Sequence, residues 1–242
     1  MPDTAPYRPL LETGLWFAEI PVAMRTALLA AGHLRRLGSG ETLFRRGDPP
    51  DGLYAVLDGT LRVTALAEDG REALLTLIEP PGWFGEISLF DGRPRTHDAL
   101  ADGPVLLLHV PQAALVRILA AEPAWWHGIG LLAAHKLRLA FVALEDLALL
   151  PAPVRLARRL VLIAEGYGVG GPGPRRVLSV PQEQLAMMLA ISRQTTNQIL
   201  RQLEGQGIIA LRYGEIEILD PGRLKVAARL DGERPAAPGQ VS

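Results

Sequence analysis

The chain has 242 residues and a mass of 26.1 kDa, is 48% apolar and 21% charged, and carries a net charge of −1. At about 100–200 residues per domain this allows one large domain or two modest ones, and the charge balance excludes a polybasic or histone-like protein. Cysteine is absent, which excludes disulfides, an iron–sulfur cluster, thiolate–zinc sites and a cysteine nucleophile.

The opening MPDTAPYRPLLETGLWFAEI has no basic stretch leading into a long apolar run, so no signal peptide is expected. The apolar stretches near 104–116 and 123–134 fall short of the roughly 18 residues of a membrane span, and a cytoplasmic protein with no membrane partner is expected. Charge is unevenly divided. Residues 1–150 carry 13 basic and 18 acidic side chains, a net of −5, whereas 151–242 carry 12 and 8, a net of +4. A polyanion is therefore expected to meet the second half.

In chain order, residues 10–33 bring Leu10, Leu11, Leu15, Phe17, Ile20, Met24, Leu28 and Leu29 to helix-like intervals, with Pro21 restarting a turn. From 34 to 110, short apolar runs (LYAVL, LRVTAL, ALLTLI, PVLLLHV) alternate with Gly- and Asp-rich corners, the pattern of an antiparallel barrel or roll. Pro111 opens a short helix through Ala121, and Pro123 opens a longer one with Ile129, Leu132, Leu139, Val142 and Leu149 among its apolar positions. So much apolar surface needs two packing partners. The roll on one side and a second copy on the other make this a dimer helix, hence a homodimer; the alternative is the core helix of one large domain.

Leu150–Pro153 reads as a hinge, 154–165 as a helix and the glycine-rich 166–176 as a flexible loop. The expected class is α+β: an N-terminal antiparallel β-roll over 12–122, a dimerisation helix and hinge over 123–150, and a C-terminal winged helix-turn-helix over 151–228. The Pro/Ala/Gly-rich tail at 229–242 reads as disordered.

The densest signal is SVPQEQLAMMLAISRQTTNQILRQLEGQGIIALRYGEIEIL, residues 179–219. Pro181 suits the start of a helix whose inner face is Leu185, Ala186 and Leu189, and Ala190-Ile191 form a short turn. Ser192 is a natural cap for a second helix, 193–204. There Thr196, Ile199, Leu200 and Leu203 face inward, while Arg193, Gln194, Asn197, Gln198 and Arg201 face outward. Arg can bridge guanine, and Gln and Asn can pair with adenine, so this hydrogen-bonding face suits base edges in double-stranded DNA. Gly205 and Gly207 end the helix, and Ile208–Leu211, a Tyr213-Gly214 turn and a returning strand with Ile216 and Ile218 make a wing. Base-reading candidates are Arg193, Gln194, Asn197 and Gln198; backbone candidates are Ser192, Arg201 and Arg212, with Arg175 or Arg176 besides. The alternative is an α+β unit that contacts protein.

PGWFGEISLFDGRPRTHDAL suits a small anion. Gly82 and Gly85 allow close backbone approach, amides of the turn from Glu86 through Ile87 and Ser88 can cradle phosphate, Arg95 can neutralise it and Thr96 can add a hydroxyl. A cyclic nucleotide, another small effector, and a ligand-free roll in which Glu86 and Arg95 form a structural ion pair all remain open. His33, His97, His109, His127 and His135 offer no metal-ligand set, although haem stays chemically open through histidine. With no Walker run, HExxH, GxSxG or paired-carboxylate constellation, no catalytic activity is expected.

The chain resembles the bacterial cyclic AMP receptor/FNR transcription regulators over roughly 12–225. The resemblance rests on LAMMLAISRQTTNQILRQLEGQGII as helix-turn-helix and on RRGDPPDGLYAVLDGTLRV with GWFGEISLFDGRPRTHDAL as cyclic-nucleotide-binding roll. It implies a homodimer on a palindromic operator, with RNA polymerase as a candidate partner. It also implies that Glu86 binds a ribose hydroxyl and that Arg95 and Thr96 hold the phosphate of cyclic AMP or cyclic GMP. The sequence departs from the family at four places: Gln194 and Gln198 stand where Glu and Arg are usual, Ala190 stands at a turn position often held by Gly, His97-Asp98 follow Thr96, and Ala140-Phe141 fall where cyclic AMP binders carry adenine-reading hydroxyls.

Overall fold

The computed structural model describes residues 4–70, 72–168 and 173–230. The chain divides into two compact units, the first running through Ala143, the second from Leu144 through Tyr167 and again from Pro174.

The first unit opens with α1 (Arg8–Glu12), α2 (Leu15–Glu19) and α3 (Val22–Ala31). The strands β1 (His33–Leu37), β2 (Thr42–Phe44), β3 (Gly52–Asp58), β4 (Leu61–Leu66), β5 (Glu72–Ile78) and β6 (Trp83–Phe84) follow. After the short α4 (Glu86–Asp91) come β7 (Asp98–Ala101), β8 (Val105–Pro111) and α5 (Gln112–Ala121). The strands make two four-stranded antiparallel sheets, ordered β1-β8-β3-β6 and β2-β7-β4-β5, the expected roll.

The runs LYAVL and PVLLLHV are continuously apolar because their strands are buried on both faces. Side chains alternate along a strand, so Leu53, Ala55, Leu57, Leu106, Leu108 and Val110 join the core under the helices, while Tyr54, Val56, Val105 and Leu107 fill the other, with Leu61, Phe84 and Ala99. Phe17 stacks on Trp83 with ring centroids 5.3 Å apart, fixing α2 on the roll.

A 3-10 turn at Pro123–Trp125 leads into the long helix α6 (Trp126–Leu149). Its first turns pack on the N-terminal helices: Trp16 Nε1 donates to Gly128 O at 2.6 Å, and a Cβ on Gly128 would stand 3.0 Å from Ile20 Cγ2. Farther along, Leu137, Phe141, Leu144, Leu147 and Leu149 are exposed. The stretch Pro123–Leu149 is long and apolar enough, by length and composition, to cross a membrane, which corrects the expectation that the run near 123–134 falls short. The run continues because the residues beyond His135, Lys136 and Arg138 return to Leu, Ala, Phe and Val.

The second unit contains the last residues of α6, then α7 (Ala152–Ala164), β9 (Val177–Leu178), α8 (Gln182–Leu189), α9 (Arg193–Gly205), β10 (Ile209–Arg212), β11 (Glu215–Ile218) and α10 (Pro221–Ala227). Pro151 is the N-cap of α7, which buries Val154, Leu156, Ala157, Leu160, Val161, Ile163 and Ala164 as the unit's central helix. The strands form a three-stranded sheet ordered β10-β11-β9. Within the loop expected at 166–176, Gly166–Gly168 form a 3-10 turn, and 169–172 lie outside the described residues. The tail expected from 229 lies outside them from residue 231 onward.

Candidate nucleic-acid interface and effector cassette

The helix pair α8–α9 closes tightly. Ala190, at φ 52° and ψ 43°, occupies the left-handed region, where a Cβ costs about 1 kcal/mol, and this sharp reversal ends α8. Ser192 Oγ then accepts from Thr195 N at 3.0 Å, the cap expected from the sequence and worth about 1 kcal/mol. Behind the cap α9 divides by side. Thr196, Ile199, Leu200 and Leu203 are buried, and Thr196 Oγ1 donates to Ser192 O at 3.1 Å.

Arg193, Gln194, Gln198 and Arg201 are exposed. Gln194, Gln198 and Arg201 follow the i, i+4, i+7 stripe of one helix face, with Arg193 at its N-terminal edge. Asn197 is half-buried, and its Oδ1 is enclosed without a hydrogen-bond partner among the described residues, so it sits at the margin of this face.

The wing is β10 and β11, paired Ile209↔Ile218 through Arg212↔Glu215 and joined by Tyr213-Gly214. Its first strand starts one residue later than the sequence suggests. Arg212 donates to Glu217 Oε2 from Nη2 at 2.9 Å and from Nε at 3.2 Å. The Arg212 side chain is 67% exposed, so this ion pair is weak and open to exchange for phosphate. Arg175 and Arg176, considered as phosphate contacts, are turned onto the domain itself. Arg175 Nη2 donates to Ile163 O at 2.9 Å and Arg176 Nη1 to Leu219 O at 3.4 Å, tying the segment before β9 to its neighbours.

Sequence reasoning missed Glu204. Its Oε1 accepts from Leu211 N at 2.9 Å and braces the wing on the end of α9. It missed α10 as well, although Asp220-Pro221 is a helix-start signal; Asp220 Oδ1 accepts from Arg223 N at 2.9 Å.

In the first unit Gly85, at φ 103°, is the N-cap of α4, and a Cβ there would stand 2.7 Å from Gly52 O and 3.0 Å from Arg95 Nη1. The cassette therefore needs glycine at this point. Glu86, Ser88 and Arg95 are buried; Ile87 and Thr96 are at the surface, and Thr96 Oγ1 lies 2.9 Å from His97 Nδ1.

Glu86 and Arg95 do not pair with each other, which corrects one of the ligand-free arrangements considered from the sequence. Glu86 Oε2 accepts from Lys136 Nζ of α6 at 2.8 Å, and Arg95 Nη2 donates to Asp51 Oδ1 at 2.5 Å. Arg95 also donates from Nη2 to Gly52 O at 2.8 Å and from Nη1 to Gly85 O at 3.2 Å, and its guanidinium lies 4.4 Å from the centre of the Phe44 ring. Its Nε is buried with no hydrogen-bond partner among the described residues. Asp98 is turned to the neighbouring loop, where its Oδ1 accepts from Arg46 N at 2.6 Å.

Behind Asp51 stands an aromatic and imidazole layer. Tyr54 donates its hydroxyl to Asp51 Oδ2 and stacks on His109 at 4.3 Å; His109 Nε2 lies 3.0 Å from Asp51 O, and its Nδ1 lies 3.2 Å from His33 Nε2. Burial raises the Asp51 carboxyl, but hydrogen bonds from Tyr54 and Arg95 outweigh it and hold the group below its ordinary 3.8. Burial pushes the Tyr54 phenol up, and the Asp51 carboxylate adds to this.

Burial depresses His109 and His97 below their ordinary 6.5, so the folded chain resists their protonation. The unfolded chain then binds more protons as pH falls below 6.5. Their contribution to stability is complete above that pH and erodes toward the folded pKa values. Melting temperature is expected to fall between pH 7 and pH 5, about the range of histidine titration, and calorimetry of His109→Gln should show a shallower fall. Among the described residues, no group of three or more His, Asp or Glu side chains is arranged to hold a metal.

Residues 34–122 match the cyclic nucleotide-binding domain, and 154–227 match the Crp-like helix-turn-helix domain. A CRP-like cAMP-activated global transcriptional regulator of Mycobacterium tuberculosis is 34% identical over 191 residues, covering 78% of this chain and 85% of that protein. The cyclic AMP receptor protein of Thermus thermophilus is 28% identical, over 78% of this chain and 85% of its own length. Among solved structures, FixK2 of Bradyrhizobium japonicum superposes with a TM-score of 0.71 at 20% identity, covering 81% of this chain and 96% of that one. With matching models for both halves and a relative this similar over most of its length, the chain belongs to the CRP/FNR family and is a sequence-specific DNA-binding transcription regulator.

Proposed function

We propose that the protein acts as a homodimer on a palindromic operator, each α9 reading bases in one of two major grooves about 34 Å apart. Arg193, Gln194 and Gln198 read bases, with Asn197 at the edge, and Ser192, Arg201 and Arg212 hold the backbone. One observation carries this reading: behind the Ser192 cap, the exposed side of α9 presents amides and guanidinia, with no carboxylate until Glu204. An ordinary solvated helix would mix acids among them. Gln194 and Gln198 favour adenine contacts, so the half-site differs from one read by Glu and Arg.

We further propose that the cassette of Gly85, Glu86, Ile87, Ser88, Arg95 and Thr96 takes a small phosphate-bearing effector, with cyclic AMP as the first candidate because the M. tuberculosis relative is described as cAMP-activated. The buried, unpartnered Nε of Arg95 supports this, since it is a charged donor left over for an anion. The Lys136–Glu86 pair suits a ribose diol, with one acceptor and one donor side by side. Ala140 and Phe141 offer no hydroxyl to an adenine edge.

A second reading has its own support. Asp51 already balances Arg95 and Lys136 already balances Glu86, as in a roll that needs no ligand. Fluorescence anisotropy on a duplex selected from a random pool, at fixed salt with and without cyclic AMP, separates the two. At least about tenfold tighter binding with cyclic AMP is expected, the size of an ordinary allosteric coupling. Tight binding indifferent to it, and to other cyclic nucleotides, favours the constitutive reading.

A further inference from the structure

Within the second unit, the end of α7, the segment before β9, the end of β11 and the first turns of α10 border a cavity of about 330 Å³. Its floor is apolar: Val161 and Ala164 come from α7, Ile218 from β11 and Leu224 from α10, and all four are buried. The main chain around it is tied in place. Arg175 N donates to Ala164 O at 2.8 Å, Ile218 N donates to Arg176 O at 2.7 Å, and the Asp220 cap fixes α10. A cavity held by backbone bonds is preformed, and this one has the size of a site for a small molecule, at the lower end of the roughly 300–1,000 Å³ range.

The charges that line it narrow what would enter. Arg175 and Arg176, which face the domain and not the DNA, stand here with Lys225 and Glu165, three cations against one carboxylate. Lys225 Nζ lies 2.9 Å from Glu165 Oε1, but these side chains are 47% and 42% exposed, so the pair is weak and exchangeable. Arg176 is exposed, and its Nη1 donates to Leu219 O at 3.4 Å and Ile218 O at 3.5 Å, neutral acceptors that do not cancel its charge. An inorganic anion would gain nothing from the apolar floor, and a hydrocarbon nothing from the cations. A guanidinium offers a carboxylate two directed donors, so the fitting ligand is one carboxylate on a short apolar body.

We propose that this cavity is a small-molecule site of the DNA-binding unit, taking an aliphatic monocarboxylate. The hydrocarbon lies on Val161, Ala164, Ile218 and Leu224, and the carboxylate meets Arg176 and Lys225. The site does not depend on what the cassette in the roll takes, nor on which residues of α9 read bases.

The probe is sodium octanoate, titrated calorimetrically into the full-length protein at fixed ionic strength. A dissociation constant of about 1 mM or below is expected, the ordinary yield of a ligand of about ten non-hydrogen atoms. Octan-1-ol, which keeps the chain without the charge, should bind about fivefold more weakly, and acetate should give no heat. Arg176→Ala and Lys225→Glu, both at exposed positions, should each weaken octanoate about fivefold, whereas Arg176→Lys stays within about twofold. Ala164→Leu fills the floor and should remove binding; should that variant melt early, the exposed substitutions decide alone. In methyl spectra octanoate should shift the Ile218 signal and leave Ile129, in the core of the first unit, unmoved. Octanoate that binds no tighter than octan-1-ol, or that leaves Ile218 unmoved, overturns the proposal. So does binding that neither Arg176→Ala nor Lys225→Glu weakens.

Discussion

Replacing Arg193 by alanine is expected to weaken operator binding on the order of 10²-fold and to relax base preference at one position in each half-site. A bidentate arginine–guanine contact is worth about 1–3 kcal/mol, and a homodimer would forfeit two of them. Gln198→Ala should produce the same kind of relaxation at a different position. Both side chains are exposed on α9, so neither change should alter the melting temperature, and any weakening belongs to recognition rather than to folding. Repeating the random-pool selection with each variant checks this directly. An unchanged consensus in both would mean that another element reads the bases.

Phe141→Glu should have the largest effect of all, by separating the subunits. Ala134, Leu137, Phe141, Leu144 and Ala148 follow one another at spacings of three and four along α6, the seam of a two-helix coil, and Leu137, Phe141 and Leu144 are 56%, 61% and 60% exposed. Across a two-fold axis, glutamate at 141 would bring two carboxylates together in a desolvated seam. Sedimentation equilibrium should show monomers. Operator affinity should fall by about 10²–10⁴-fold, because each recognition helix would bind alone without the advantage of linkage. A variant that stays dimeric would place the interface on another face of the helix.

The reach of the sequence differs between local and distant features. Ser192, Thr196 and Ile199 were legible because cap and inner face are set by neighbours within one or two turns. The roll was legible from the alternation of apolar runs and Gly/Asp corners, although the two-residue β9 at Val177–Leu178 is too short to leave a periodic trace.

The candidate effector cassette was legible only in its contiguous part. Asp51 meets Arg95 across 44 positions and Lys136 meets Glu86 across 50, and no local spacing announces either contact. Glu204 shows the same limit at short range. On the helix pattern it is one acid at the far end of a polar face, and only the folded wing brings an amide to it.

The pairing of Asp51 with Arg95 has a consequence for how the roll would respond to acidity. Arg95 and Lys136 are each already matched by a carboxylate, so an arriving anion competes with Asp51 and Glu86 for these two cations. Its own charge would raise the proton affinity of Asp51 and of nearby His97, both now held low. Anion uptake and proton uptake would then be linked reactions, each favouring the other. A regulator built this way would report the concentration of its ligand and the pH of its surroundings as one combined signal.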